Sequence, residues 1–577
     1  MIRWVGFLIC AILGLGMIFC GLLVPAHLRA VDAAVLQKAG RGTPSLIEGG
    51  LSLVTNRQLG AAQLFLAAAK SAGIANANKL TDAVDELARR QPALQTSGST
   101  ENDRLSALLA SDPRIPESQT HQAISRTEPF TEFIVRSEPR TKALELLAAS
   151  PNSLVPALLH LRSLTNTVLF PPSSSASGQA LDAAVSIAGL LTETGHFSVG
   201  LRDAVLVMSQ DAYRGGNPQP LEQVLMDLLS LGQRFNWGQL AMFVAQNKDA
   251  ETLRVLSARV QKREDVPVLY SAVCLGGNAS GVATYLTHFS ETGLNDLRLS
   301  LGYGTGGVKE LLQRNQRLCH SSFCERVAEL TSSGPMFTSA VDYSQRTPRL
   351  ALTGKWLLYF IGGFFLAAAL HFARRVPMLE KPLEVRGFHF AREILFALGF
   401  LVVVLLLSEP FLAQESQKVE LPFRLRLPMV GGAVPTGSPG AHTTIMNQVT
   451  FLTMLLFFVL QALLYVASLV KLAEIRRQRV SSQMKLKLLD NEDHLFDAGL
   501  YLGFLGTIIS LILVSVGVFK QPSLMAAYSS TSFGILFVVL FKVVHLRRTR
   551  RHLLLEAETE SSIRNAPPSA SPLAAPL

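Results

Sequence analysis

The run WVGFLICAILGLGMIFCGLLV at residues 4–24 constrains this chain more than any other stretch, because it holds no charged side chain and follows Arg3. About 20 helical residues cross the ~30 Å hydrocarbon core of a bilayer. In lipid the backbone must satisfy its own hydrogen bonds, so a run of this kind reads as a helix. A retained anchor is the first reading. A cleaved signal segment is the second, since Arg3 supplies a short basic region, although the run exceeds the ~7–15 residue apolar core of signal peptides. Further apolar runs lie at 356–370, 394–407, 449–470, 498–518 and 524–544. The run at 394–407 is short for a bilayer and is expected to recruit Phe388 or Ala391 at one end and Phe411 at the other. The pattern predicts an all-α integral membrane protein with about six transmembrane helices and a large extracytoplasmic helical domain.

The 577 residues are 49% hydrophobic and 17% charged, with a net charge of +10 and a mean hydropathy of +0.30. Those values exclude a disordered chain and an ordinary charged cytosolic protein. The positive charge points to lipid and not to nucleic acid, because it is concentrated beside the apolar runs. Arg374, Arg375, Lys381, Arg386 and Arg392 lie between the second and third runs, and Arg476, Arg477, Arg479, Lys485 and Lys487 between the fourth and fifth. Arg547, Arg548, Arg550 and Arg551 follow the sixth, whereas the turn between the fifth and sixth has only Lys520. The positive-inside rule then places both termini in the cytoplasm. If the first segment is cleaved, the orientation of the others is unchanged. The expected division is an anchor or signal-like segment at 1–25, an outside domain at 26–350, and two spans with a cytoplasmic connector at 351–412. An outside loop at 413–448, a three-helix region at 449–555 and a flexible tail at 556–577 complete it.

The outside domain carries Leu, Phe, Val and Met at three- and four-residue intervals in LGAAQLFLAAAKSAG (59–73), TKALELLAAS (141–150) and PLEQVLMDLLSLG (220–232). That periodicity predicts amphipathic helices. Sustained alternation of the strand kind is scarce. A stack of helical hairpins, repeat-like in character, and an irregular helical bundle are both compatible with it. The break PPSSSASG at 171–178 is expected to separate an early half from a later one.

No catalytic triad or zinc motif stands out, so neither an enzyme nor a cofactor is expected. GYGTGG at 302–307 lacks the Lys-Ser/Thr that completes a phosphate loop, and reads as a turn. His371, His389, His494 and His545 lie at or near the ends of apolar runs, where a solvated or amphipathic role is the ordinary one. Cys319 and Cys324 are close enough in sequence for a local disulfide in an oxidising compartment, which spacing alone does not establish.

The string LYLGFLGTIISL in the fifth run and AAYSSTSFGILFVVL in the sixth together resemble the MotA/TolQ/ExbB proton-channel family, over about residues 449–555. The positions that carry the resemblance are Gly503, Gly506 and Thr507, then Thr531 and Gly534. It implies a bacterial inner-membrane protein that assembles as a homo-oligomer around a single-span partner of the MotB/TolR/ExbD type and couples ion movement to an envelope process. The large domain would face the periplasm and recognise a periplasmic or envelope component. Some family members have a glutamate five residues before the final-helix threonine, where this chain has Ala526. The protonatable carboxylate is therefore expected from the partner.

The residues themselves support helix packing first. Gly499 and Gly503 have G-x-x-x-G spacing, and Gly506 extends that small surface; Gly534 is a further helix-packing candidate. At 1.5 Å per residue, Thr507 lies ~14 Å from the inner start of its helix and Thr531 ~10 Å from the outer start of the next, so in a ~30 Å core their depths differ by ~6 Å. Thr507, Ser530 and Thr531 can thus share a polar layer as ion-pathway residues, or serve only in packing. Lys542 near the inner end is placed to snorkel. The acidic stretch Asp490, Glu492, Asp493 and Asp497 is expected either to be solvated or to dock a positive segment. An ion-coupled channel subunit is the leading functional expectation. A noncatalytic oligomeric scaffold that recognises a periplasmic component is the alternative.

Overall fold

The structure, a computed structural model, describes residues 2–91, 94, 99–102, 105, 129–164, 166–175, 178–319, 335–374, 388–411, 448–515 and 524–565. The chain divides into two compact units, Ala30–Arg326 and Met1–Arg29 with Val327–Leu577.

The chain begins with α1 (Ile2–Leu23) and enters the helical domain through β1 (Ala30–Asp32). There follow α2 (Ala33–Gly40), α3 (Leu46–Thr55), α4 (Leu59–Ser71), α5 (Ala77–Arg90), α6 (Phe130–Ile134), α7 (Ser137–Ala148) and α8 (Leu154–His160). Next come α9 (Gln179–Glu193), α10 (Val199–Tyr213), α11 (Gln219–Gly232), α12 (Trp237–Ala245) and α13 (Ala250–Arg259). The domain finishes with α14 (Val266–Gly276), α15 (Ala279–His288), α16 (Gly293–Leu301), α17 (Gly304–Arg314) and β2 (Arg317–Cys319). The three segments with helical periodicity form α4, part of α7, and α11.

Local chemistry starts several of these helices. Ser45 and Glu48 form a capping box at α3, and Asn236 and Gln239 form another at α12. Alternate helices then stack in two layers. In one, α7, α9, α11, α13 and α15 each pack on the next; in the other, α8 packs on α10, and further on α12 packs on α14 and α14 on α16. The array closes on itself, because α4 packs against α12, α14 and α16, and α2 against α17. β1 and β2 pair in parallel with Val31 opposite Leu318, bringing the two ends of the domain together.

One continuous hydrophobic core runs from Val31 to Leu318, with Trp237, Phe130, Phe235, Phe243, Tyr270 and Tyr285 fully buried. The PPSSSASG segment consequently does not divide the domain. Arg162 before it bonds Asp182 beyond it at 2.8 and 3.3 Å. GYGTGG forms the turn into α17, with Gly304 at φ +76. A Cβ on Gly306 would run into the Ala39 carbonyl, so α17 lies against α2 at backbone distance.

In the other unit the elements after α1 are α18 (Pro335–Arg346), α19 (Pro348–Arg374), α20 (Phe388–Ser408), α21 (Gln448–Arg477), α22 (Ser482–Asn491), α23 (Asp493–Phe496) and α24 (Ala498–Ser515). Then α25 (Leu524–Leu540) passes through a π-helical stretch, Phe541–Leu546, into α26 (Arg547–Asn565). Among the described residues four helices are long and apolar enough to cross a membrane, Trp4–Leu23, Pro348–Leu370, Phe451–Arg477 and Tyr528–Ser562. The other two expected spans are helices of 21 residues, α20, and 18 residues, α24.

The packing order is α1 on α19, α19 on α20, α20 on α21, α21 on α25 and α25 on α24. Small residues allow these approaches: a Cβ on Gly362 of α19 would lie 2.7 Å from Ile18 and 3.0 Å from the Gly14 carbonyl of α1. Two local expectations are corrected. α20 stops at Ser408, and Phe411 lies beyond it with φ 59, so it does not extend that helix. The tail expected to be flexible from 556 is helical through Asn565, because α26 packs on α22 and Glu560 accepts bonds from Ser482 N at 3.2 Å and Ser482 Oγ at 2.9 Å. The proline-containing stretch at 566–577 lies outside the described residues.

Candidate polar layer between the last helices

Gly499, Gly503 and Gly506 fall at i, i+4 and i+7 of α24 and so share one face. α25 lies on it. A Cβ on Gly503 would sit 2.9 Å from the Ser530 carbonyl and 3.2 Å from Thr531 Cα, and one on Gly499 2.8 Å from Val538. From the other side, a Cβ on Gly534 would sit 2.6 Å from the Gly499 carbonyl, while one on Gly506 would meet the Ser530 hydroxyl. All four glycines are occupied in bringing the two backbones together.

That close approach places Thr507 Oγ1 2.5 Å from Thr531 Oγ1. Both hydroxyls also reach the Gly503 carbonyl, at 3.1 Å from Thr507 and 3.3 Å from Thr531. Each hydroxyl has one proton, and either can donate to the other or to the Gly503 carbonyl. The pair can therefore exchange between two donor arrangements without moving a heavy atom. Thr507 is buried and Thr531 half-buried. Ser530 is buried against the Gly506 face, one residue before the pair and turned into the same seam. Ala526 lies in the first turn of α25.

A third helix contributes a residue that sequence reading passed over. Gln461 of α21 is 1% exposed, and its Nε2 donates to the Gly499 carbonyl at 3.1 Å. Its signal was present as the polar stripe Gln461, Tyr465 and Ser468 at i, i+4 and i+7 in an otherwise apolar run. Tyr465 in turn bonds His545 Nε2 at 3.0 Å.

The acidic stretch is engaged within the chain. Lys542 donates to Asp497 at 2.8 Å and lies 3.8 Å from Asp493, Lys471 lies 3.6 Å from Glu492, and Arg550 pairs with Asp490. These pairs fasten α22–α24 to α21, the π-helical stretch and α26 around a small core of Leu472, Leu489, Phe496, Phe541 and Leu553.

A second polar cluster, also missed, lies among α1, α19 and α20. Lys355 and Glu409 are 2% and 6% exposed, with Nζ 3.9 Å from Oε1. Lys355 also donates to the Ala26 carbonyl at 2.8 Å, and Glu409 Oε2 accepts from Leu28 N at 2.8 Å. His27 Nδ1 stands 3.4 Å from Lys355 Nζ and 3.9 Å from Glu409. Lys355 immediately precedes one apolar run and Glu409 follows another, which is the pattern that could have revealed them.

No group of three or more His, Cys, Asp or Glu side chains is placed to hold a metal among the described residues. Cys319 is buried in β2, and Cys324 lies outside the described residues, as do the side chains of His371 and His389. In comparisons with protein-family models, curated proteins and solved structures, the chain matches nothing.

Proposed function

We propose that this chain is an ion-coupled subunit of a bacterial inner membrane, in which α24 and α25 present a hydroxyl layer to a carboxylate on a single-span partner. The Thr507–Thr531 pair on the shared Gly503 carbonyl carries this reading. It is a polar, switchable pair in the middle of two apolar helices, where an unpartnered polar group is expensive and commonly functional. Six spans, both termini in the cytoplasm and the helical domain in the periplasm complete the proposed topology. α1 belongs to it as a retained span, supported by the Gly14–Gly362 contact along its length. Copies of the chain would surround the partner helix, and the periplasmic domain would bind an envelope component.

The test is proton flux in vesicles containing the full chain with its co-purified single-span partner, under an imposed gradient. Thr507→Val and Thr531→Val are expected to reduce flux strongly while leaving the complex assembled. Absence of flux from the assembled wild-type complex would sink the conducting role and favour a noncatalytic scaffold, in which the same glycines and hydroxyls only hold helices together.

A further inference from the structure

An ion that reaches the threonine layer must still reach the cytoplasmic side. Between the threonine layer and the charged inner end of α21, one line of polar residues interrupts the apolar surface. On α21 that line is Gln461, Tyr465 and Ser468, all on the face turned to α24 and α25. Gln461 uses its Nε2 on Gly499, one turn inward of the Gly503 carbonyl that holds the threonines. Its Oε1 is buried and accepts from no group among the described residues.

Gln461, Tyr465 and Ser468 line a cavity of about 10 Å³ together with Gly499 and apolar residues that include Phe496, Phe537 and Phe541. A volume of about 10 to 15 Å³ is the minimum for one water molecule, which also needs at least two polar partners. Three of the lining residues, Gln461, Tyr465 and Ser468, carry polar side chains. Ser468 donates its hydroxyl proton to the Leu464 carbonyl at 3.0 Å, leaving its lone pairs as acceptors, and Tyr465 offers a phenolic hydroxyl. Beyond the cavity, Tyr465 meets half-exposed His545, which sits in the π-helical stretch 541–546. Such stretches recur at functional sites, where they turn a side chain off the regular helical path.

We propose that this cavity binds one water molecule on Gln461 Oε1, and that the water, Tyr465 and His545 form the inner leg of a proton path from the threonine layer to the cytoplasm. The proposal rests on the conducting reading above. A proton arriving at the water passes to the Tyr465 oxygen as the Tyr465 hydroxyl proton passes to His545 Nε2. The imidazole releases its Nδ1 proton to cytoplasmic water, and regains its starting tautomer by exchanging ring protons with that water. One proton enters, one leaves, and no group changes its net charge.

The experiment measures proton flux with a pH-sensitive dye in vesicles holding the full complex, for wild type, Thr507→Val, Gln461→Leu, Tyr465→Phe and His545→Gln. Tyr465→Phe keeps the ring packing and removes only the relay oxygen. Because a positioned proton-transfer group contributes about 100-fold or more, Tyr465→Phe and His545→Gln should each lower flux by at least about tenfold. In ¹⁵N spectra of the full complex, Tyr465→Phe should also shift the His545 Nε2 resonance. If Thr507→Val stops conduction while Tyr465→Phe and His545→Gln conduct like wild type, the inner leg is wrong and the conducting role stands. If the assembled wild-type complex carries no protons, both fall together.

Discussion

The helical domain and the last three helices achieve close contact by opposite means. The domain fills its interior with Trp237, Phe130, Phe243 and Tyr270, whereas α24 and α25 meet through Gly499, Gly503, Gly506 and Gly534. In water, burying a large apolar side chain is itself the driving force. Between helices in lipid that force is absent, since the alternative surroundings are equally apolar, and contact depends on how near the backbones can come. The two regions therefore differ in what a substitution destroys, the first by losing volume and the second by gaining it.

The largest expected effect tests the first half of that contrast. Trp237 is fully buried against Phe130, with ring centroids 4.9 Å apart. Trp237→Ala should destabilise the domain by about 3–5 kcal/mol. Hydrogen exchange on the full-length protein should show lost protection in α9–α16, with α24 and α25 unchanged; loss spread evenly through both units would break the contrast.

Next in size is the charged cluster, a third way of joining helices. Breaking a buried ion pair leaves the remaining charge uncompensated and costs about 3 kcal/mol or somewhat more. Glu409→Gln should therefore lower the detergent melting temperature markedly, and the double change Lys355→Met with Glu409→Gln should recover most of it. If the double variant is as unstable as the sum of the singles, the two groups do not compensate each other.

Adding bulk to the glycine seam should come third. Gly534→Val places a side chain where a Cβ alone lies 2.6 Å from the Gly499 carbonyl, with an overpacking cost of about 1–3 kcal/mol. Crosslinking between cysteines introduced on the exposed ends of α24 and α25 should fall, while domain protection stays. A tolerant Gly534→Val would mean that the seam is looser than its geometry.

The smallest effect concerns acidity. In the domain, burial raises the Asp296 carboxyl above its ordinary value, against hydrogen bonds from Tyr285 and Leu318 that pull it down. The native state then holds the proton at pH values where the unfolded chain has lost it. Stability is fully present below the ordinary carboxylate range and declines as pH rises through the raised value. Asp296→Asn should flatten that decline in urea midpoints followed by Trp237 fluorescence, with Trp4 and Trp356 replaced by Phe. Asp227, likewise raised by burial, should leave a residual slope of the same sign.

The helices of the domain were legible where a single face repeats, as in α4 and α11, because burial on one side imposes the 3.6-residue period. The depth match of Thr507 and Thr531 was legible too, since helical rise is constant. Their common acceptor was not: it depends on Gly503 exposing its carbonyl, which only the packed pair of helices reveals. Gln461 was hidden because one polar residue barely perturbs an apolar run. Lys355 and Glu409 were hidden because they are distant in sequence and adjacent only through α19 and α20. The helix in the tail escaped because its charged residues advertise solvent, although Leu553 and Glu560 anchor it to α22.

The short β1–β2 pair gives the helical domain a mechanical character. The strands run in the same direction, so Ala30 at the start of β1 and Cys319 at the end of β2 lie at opposite ends of the pair. A pull applied at those two points slides one strand along the other and loads their cross-strand bonds simultaneously. An antiparallel pair with both ends on one side would instead unzip bond by bond.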